Sequence, residues 1–147
     1  MKLNIFLIIV ILLITFYHNL IQNDLEKIFF EKYLGYDNVK RPLKKCNKYK
    51  KNNFSCLGMP SGHAETITIL TYLLYYYKFL PLWLCFLLIF LFCLQRITAN
   101  KHTLSQVIIG ILFGYLYSNI YTYFNLSIYS FLIVVSIGLT FYFLSFT

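Results

Sequence analysis

The chain has 147 residues, 59% of them hydrophobic, with 13 Lys+Arg against 5 Asp+Glu and a formal net charge of +8. So little charge among so much apolar side chain excludes an ordinary soluble domain and fits a small multi-pass membrane protein. The expected fold is an all-α transmembrane bundle of about five spans with its functional site at one membrane face.

A bilayer-crossing helix needs about 17–25 largely apolar residues. Such segments are predicted at 3–21, 64–80, 81–98, 103–124 and 127–146. The first runs into Thr15-Phe16-Tyr17-His18 with no small-residue cleavage site, so residues 1–22 read as a retained anchor and not a signal peptide. His18, near its end, reads as an interfacial histidine. Residues 23–63 form the only long polar stretch. Asn23-Asp24-Leu25-Glu26 reads as a helix start, opening a short amphipathic helix over 24–34 that stops near Gly35. The Lys- and Asn-rich tract 44–53 reads as a surface loop. Residues 64–124 read as a catalytic core of three spans, and 125–147 as a C-terminal span.

Alternation of the spans assigns each connector to a side. The second segment starts on the side that holds the polar stretch (side A) and crosses to side B. The chain turns at Pro81, and the third segment returns to side A. Arg41, His63, Arg96 and His102 therefore share side A. Arg occurs only at Arg41 and Arg96; every other basic residue is Lys. Side A holds eleven Lys/Arg, and side B holds Lys2 and Lys78. The positive-inside rule would place side A in the cytosol, and the same excess would draw in an anionic lipid head group.

The four shared residues suit phosphate chemistry. Arginine grips phosphate through two parallel hydrogen bonds. Histidine transfers protons or attacks phosphorus near neutral pH. Ser61 and Gly62 open a helix whose unpaired first N–H groups make an anion site, with His63 in the first turn. His102, Gln106, Gly110 and Gly114 share one helix face. The two glycines allow close helix approach. Gln106 is expected to hold one imidazole nitrogen of His102 and leave the other free. Glu65 reads as a first-turn acid favoured by the helix dipole.

Pro60-Ser61-Gly62-His63, followed by Arg96, five residues and His102, resembles the type 2 phosphatidic acid phosphatase superfamily over about residues 30–120. The resemblance implies a metal-independent membrane phosphatase with no cofactor and no nucleic-acid partner, acting among membrane lipids. His102 would be the nucleophile, forming a phosphohistidine, and His63 the general acid. Arg41, Arg96, Ser61 and Gly62 would hold the phosphoryl oxygens. The pattern departs in three places. Leu34 stands where a Lys is expected seven residues before Arg41, so Lys32 or Lys40 is expected to replace it, Lys32 first. Gln95 replaces a Ser, and Gln106 replaces the Asp that would orient the nucleophile. His102-Thr103-Leu104-Ser105-Gln106-Val107 and Gly58-Met59-Pro60-Ser61 are similar to the dolichyl-diphosphate phosphatase branch, where Gln is native. The implied substrate is a lipid phosphate or polyprenyl diphosphate. A weakly active lipid-phosphate binder and a phosphotransferase to an acceptor alcohol are the alternatives.

Cys85 and Cys93 read as packing residues, whereas Cys46 and Cys56 would pair if side A faced an oxidising compartment. The branch resembled has its sites on a lumenal face, opposite to the positive-inside assignment. Asn53-Phe54-Ser55 on side A and Asn125-Leu126-Ser127 on side B are glycosylation sequons.

Overall fold

The computed structural model describes residues 5–43, 46 and 56–146. Among these residues the regular structure is all helical apart from one isolated bridge between Lys40 and Leu57. The elements are α1 (Ile5–Tyr17), a π-helical turn (His18–Gln22), α2 (Asn23–Leu34), α3 (Tyr36–Val39), α4 (Gly62–Tyr76), α5 (Leu82–Thr98), α6 (Leu104–Tyr123) and α7 (Ile128–Phe146).

Among the described residues, three continuous helices are long and apolar enough to cross a membrane: Ile5–Leu34, Leu104–Tyr123 and Ile128–Phe146. The apolar α5 is shorter, at 17 residues, and α4 has 15. α4, α5, α6 and α7 follow one another through short connectors, while residues 35–61 separate the first helix from α4. Large apolar side chains such as Phe6, Trp83, Phe90 and Phe143 face outward, as suits a bundle solvated by lipid.

The first helix departs from expectation. α2 starts at Asn23 and stops at Gly35 as expected, but it follows α1 and the π-helical turn without a break, so the three form one 30-residue rod and the boundary expected at 22/23 falls inside it. The physical reason is that the polar residues of this stretch find partners within the bundle. His18, Gln22, Asn23 and Glu26 are all buried, so the chain need not leave the bundle to solvate them. The rod ends at Gly35, whose φ of 82° suits a residue without a Cβ.

The main apolar core lies mid-bundle, formed by Ile11 and Ile14 of α1, Ile69 and Leu73 of α4, Tyr117 and Tyr121 of α6 and Val134 of α7. α4 and α6 approach most closely at two glycines. A Cβ on Gly110 would stand 2.5 Å from the Ser61 carbonyl oxygen, and one on Gly114 would stand 2.6 Å from that of Glu65. Backbone touches backbone there, the close approach that small residues permit in membranes. Cys85 and Cys93 are buried free thiols. Cys46 and Cys56 form a disulfide. Most of the 44–53 tract and the Asn53 sequon lie outside the described residues.

Candidate active site

The start of α4, the end of α5 and the start of α6 meet at one end of the bundle. Ser61 N donates to Gln106 O at 3.0 Å, and His102 N donates to Arg96 O at 3.3 Å. The Arg-Pro segment is fastened to the chain entering α4. Arg41 N donates to Cys56 O at 2.7 Å, and Gly58 N donates to Val39 O at 2.8 Å. The guanidinium is aimed by Arg41 Nε, which donates to Leu57 O at 3.1 Å. The disulfide joins the two segments beyond this pairing.

His102 is buried in the connector ahead of α6. Its Nδ1 lies 3.0 Å from Gly58 O. A carbonyl only accepts, so Nδ1 carries the proton and Nε2 keeps its lone pair. Burial and then the charge of Arg41 push the imidazole down to about 4, against the opposing effect of the Gly58 carbonyl and the nearby Gln106 side chain. His102 is thus neutral at pH 7, the form a nucleophile needs.

The Gly58 carbonyl holds Nδ1 of His102, and the Gln106 side chain lies beside the same ring. Gln106 Nε2 donates to Val39 O at 3.1 Å and Lys40 O at 2.8 Å, while its Oε1 accepts from Thr103 N at 3.1 Å. The last bond belongs to a capping box with Thr103, which starts α6. Gln106 therefore braces the Arg41 segment against the helix that follows His102.

His63 is exposed in the first turn of α4. The charges of Arg96, Arg41, Lys101 and Lys27 all reach it. Ser61, at the N-cap, is fully buried. Its Oγ and the Nε of Arg96 are buried without a hydrogen-bond partner among the described residues. Gly62 follows Ser61 with the first N–H groups of the helix, which have no acceptor inside it. Arg41, Ser61, Gly62, His63, Arg96 and His102 thus form one cluster.

Lys32 and Lys40 are elsewhere engaged. Lys32 Nζ donates to Leu144 O at 2.9 Å, at the end of α7, and Lys40 Nζ pairs with Asp37 Oδ1 at 2.9 Å. The lysine whose charge reaches His63 from α2 is Lys27, which is mostly buried and pairs with Asp24 Oδ1 at 3.0 Å. The charge of Asp24 reaches Arg41 in turn. Both residues were missed because the polar stretch reads as leaving the bundle at residue 22. The signal in the sequence is the four-residue spacing of Asn23 and Lys27 on one helix face, visible once the rod is taken as continuous.

A family profile described as the PAP2 superfamily matches residues 5–130 and so takes in the whole cluster. The chain belongs to the PAP2 superfamily. Membership makes it a phosphatase-type enzyme acting on lipid phosphate, in keeping with its membrane helices. A search of the curated proteins and of the solved structures finds no match to the chain.

Proposed function

We propose that the protein hydrolyses a lipid phosphate or polyprenyl diphosphate through a phosphohistidine on His102, without a metal. The observation that carries this is the pair of partnerless buried polar atoms, Ser61 Oγ and Arg96 Nε, in the same cluster as a neutral, oriented histidine. Buried polar atoms cost free energy when left unpaired, and a phosphoryl group would satisfy both.

In the first step Nε2 of His102 attacks phosphorus and the P–O bond to the leaving group breaks, while His63, protonated when the anionic substrate offsets the charges of Arg96, Arg41, Lys101 and Lys27, gives its proton to the leaving oxygen. In the second step water attacks the phosphohistidine, His63 takes a proton from that water, and inorganic phosphate leaves. Arg41, Arg96 and the α4 N-terminus neutralise charge on the phosphoryl oxygens throughout, which is the main catalytic lever for phosphoryl transfer. The test is phosphate release in detergent from a polyprenyl diphosphate, phosphatidic acid and phosphatidylglycerophosphate. His102→Ala should lose release by about a thousandfold or more, and a chelator should change nothing. Full activity in His102→Ala would overturn the nucleophile. Lipid-phosphate binding without turnover in the native chain would favour the weakly active binder. Transfer to an added alcohol in preference to water would favour the phosphotransferase.

Lys27 takes the part expected of Lys32 or Lys40. Lys27→Met should raise KM about tenfold, the loss of one charge-assisted hydrogen bond, and Lys27→Arg should recover most of it. An unchanged KM in Lys27→Met would remove Lys27 from the site.

The Cys46–Cys56 disulfide supports a side A that faces an oxidising compartment, against the positive-inside assignment. The likeness of the 102–107 run to the dolichyl-diphosphate phosphatase branch favours the polyprenyl diphosphate.

A further inference from the structure

The rod carries a second polar cluster that catalysis does not use. His18, Gln22, Asn23 and Glu26 on the rod meet Glu65 of α4 and Tyr117 and Tyr121 of α6, all buried. His18 Nδ1 lies 2.9 Å from Glu65 Oε1, and its Nε2 lies 2.9 Å from the Tyr121 hydroxyl. Gln22 Nε2 donates to Glu26 Oε1 at 3.3 Å and to the Tyr117 hydroxyl at 2.9 Å, and Tyr117 donates to Glu26. Ionisable groups inside a membrane bundle are costly and are functional candidates for that reason. A π-helical turn spans His18–Gln22, a geometry that recurs at functional sites.

The cluster ends at the catalytic loop. Asn23 Nδ2 donates to Glu65 Oε2 at 3.0 Å and to Pro60 O at 3.4 Å. Its Oδ1 lies where a Cβ on Gly62 would stand 2.6 Å away. Asn23 therefore touches the residues on both sides of Ser61, while α6 holds Ser61 from the other side through Gln106 O and Gly110. Glu65 is two residues beyond His63, about 200° around the helix. Tying Glu65 inward sets the rotation of α4 that turns His63 outward.

We propose that Asn23 and Glu65, backed by His18, are positioning residues that set the Pro60–His63 turn and hence the phosphate cradle. The inference rests on the phosphatase reading of that cradle. An acid two residues past His63 is then a mechanical part of the site, although it touches no substrate.

The test uses the full chain in detergent and orthovanadate, a probe that imitates the five-coordinate phosphoryl transition state. Asn23→Ala and Glu65→Gln should weaken vanadate inhibition and lower kcat, each by about tenfold, with a smaller change in KM, since small misplacements act chiefly on the transition state. Asn23→Asp should be worse than Asn23→Ala, because it sets a second carboxylate against Glu65 without a donor. The exchanged pair Asn23→Asp with Glu65→Gln restores an amide–carboxylate bond and should recover part of the lost vanadate affinity. Ile69→Val, in the core of the same helix, should lower the melting temperature and leave vanadate inhibition unchanged. Native vanadate inhibition and kcat in a folded Asn23→Ala or Glu65→Gln would overturn the proposal. Asn23→Ser, the milder truncation, carries the same two outcomes where those variants do not fold. A native chain that releases no phosphate and is not stabilised by vanadate would instead overturn the phosphatase reading.

Discussion

At His102 the surroundings set the protonation state before any substrate arrives. A free imidazole takes up a proton near pH 6.5. Burial and Arg41 hold this one near 4. In the proposed mechanism only the neutral ring attacks, so acid would remove the nucleophile as pH falls through about 4 and not through 6.5. The expected outcome is a kcat/KM that keeps its His102-dependent rate from pH 7 down to about 5 and then falls, since kcat/KM reports ionisation of the free enzyme. A substrate with no ionisation of its own between pH 5 and 7 makes the measurement clean. A loss centred at 6.5 with such a substrate would mean that His102 is not shielded as described. The roles proposed for His63 and His102 differ for a local reason: one sits exposed on a helix turn among cations, the other is buried against a carbonyl.

At the scale of elements, the site depends on how closely α6 lies against α4. Gly114→Ala forces a methyl group toward the Glu65 carbonyl oxygen and Thr68 Cβ, neither of which can swing aside as a flexible side-chain end could. Overpacking of this kind costs about 1–3 kcal/mol. The expected result is a melting temperature lower by several degrees, with a loss of kcat because Ser61 and His63 shift relative to His102. A thermal melt and a phosphate-release assay on the same sample check both. A variant with native stability would show that the two helices separate without cost. Glycine at four-residue spacing is legible as close packing, but nothing in the sequence says that the partner is the helix that carries His63.

For the whole molecule, the open choice is which way the cluster faces. The eleven Lys/Arg of side A point it to the cytosol, while the Cys46–Cys56 disulfide points it to an oxidising compartment. The two sequons report opposite sides. In a glycosylating membrane system with side A lumenal, Asn53→Gln should abolish any glycan-dependent mobility shift, and Asn125→Gln should leave it unchanged. The reverse pattern would place side A in the cytosol. Reduction should also loosen the Arg41 segment, because the disulfide closes a loop spanning Cys46 to Cys56 and such closures are worth about 2–4 kcal/mol.

The sequence by itself determined the helical membrane class, the alternation of spans and the gathering of Arg41, His63, Arg96 and His102 at one end. Those follow from apolar run length and from counting crossings, which local composition carries. Only the tertiary structure decided what each polar residue meets. It added the Gly58 carbonyl as a partner of His102, moved Lys32 to the end of α7, and brought the charge of Lys27 to His63. It also buried His18, read as interfacial, against Glu65, read as a helix-dipole acid. The physical reason is the same in each case. Polarity read along a chain predicts exposure, but a buried polar side chain is stabilised by partners far away in sequence, here 47 residues away for His18 and 44 for His102.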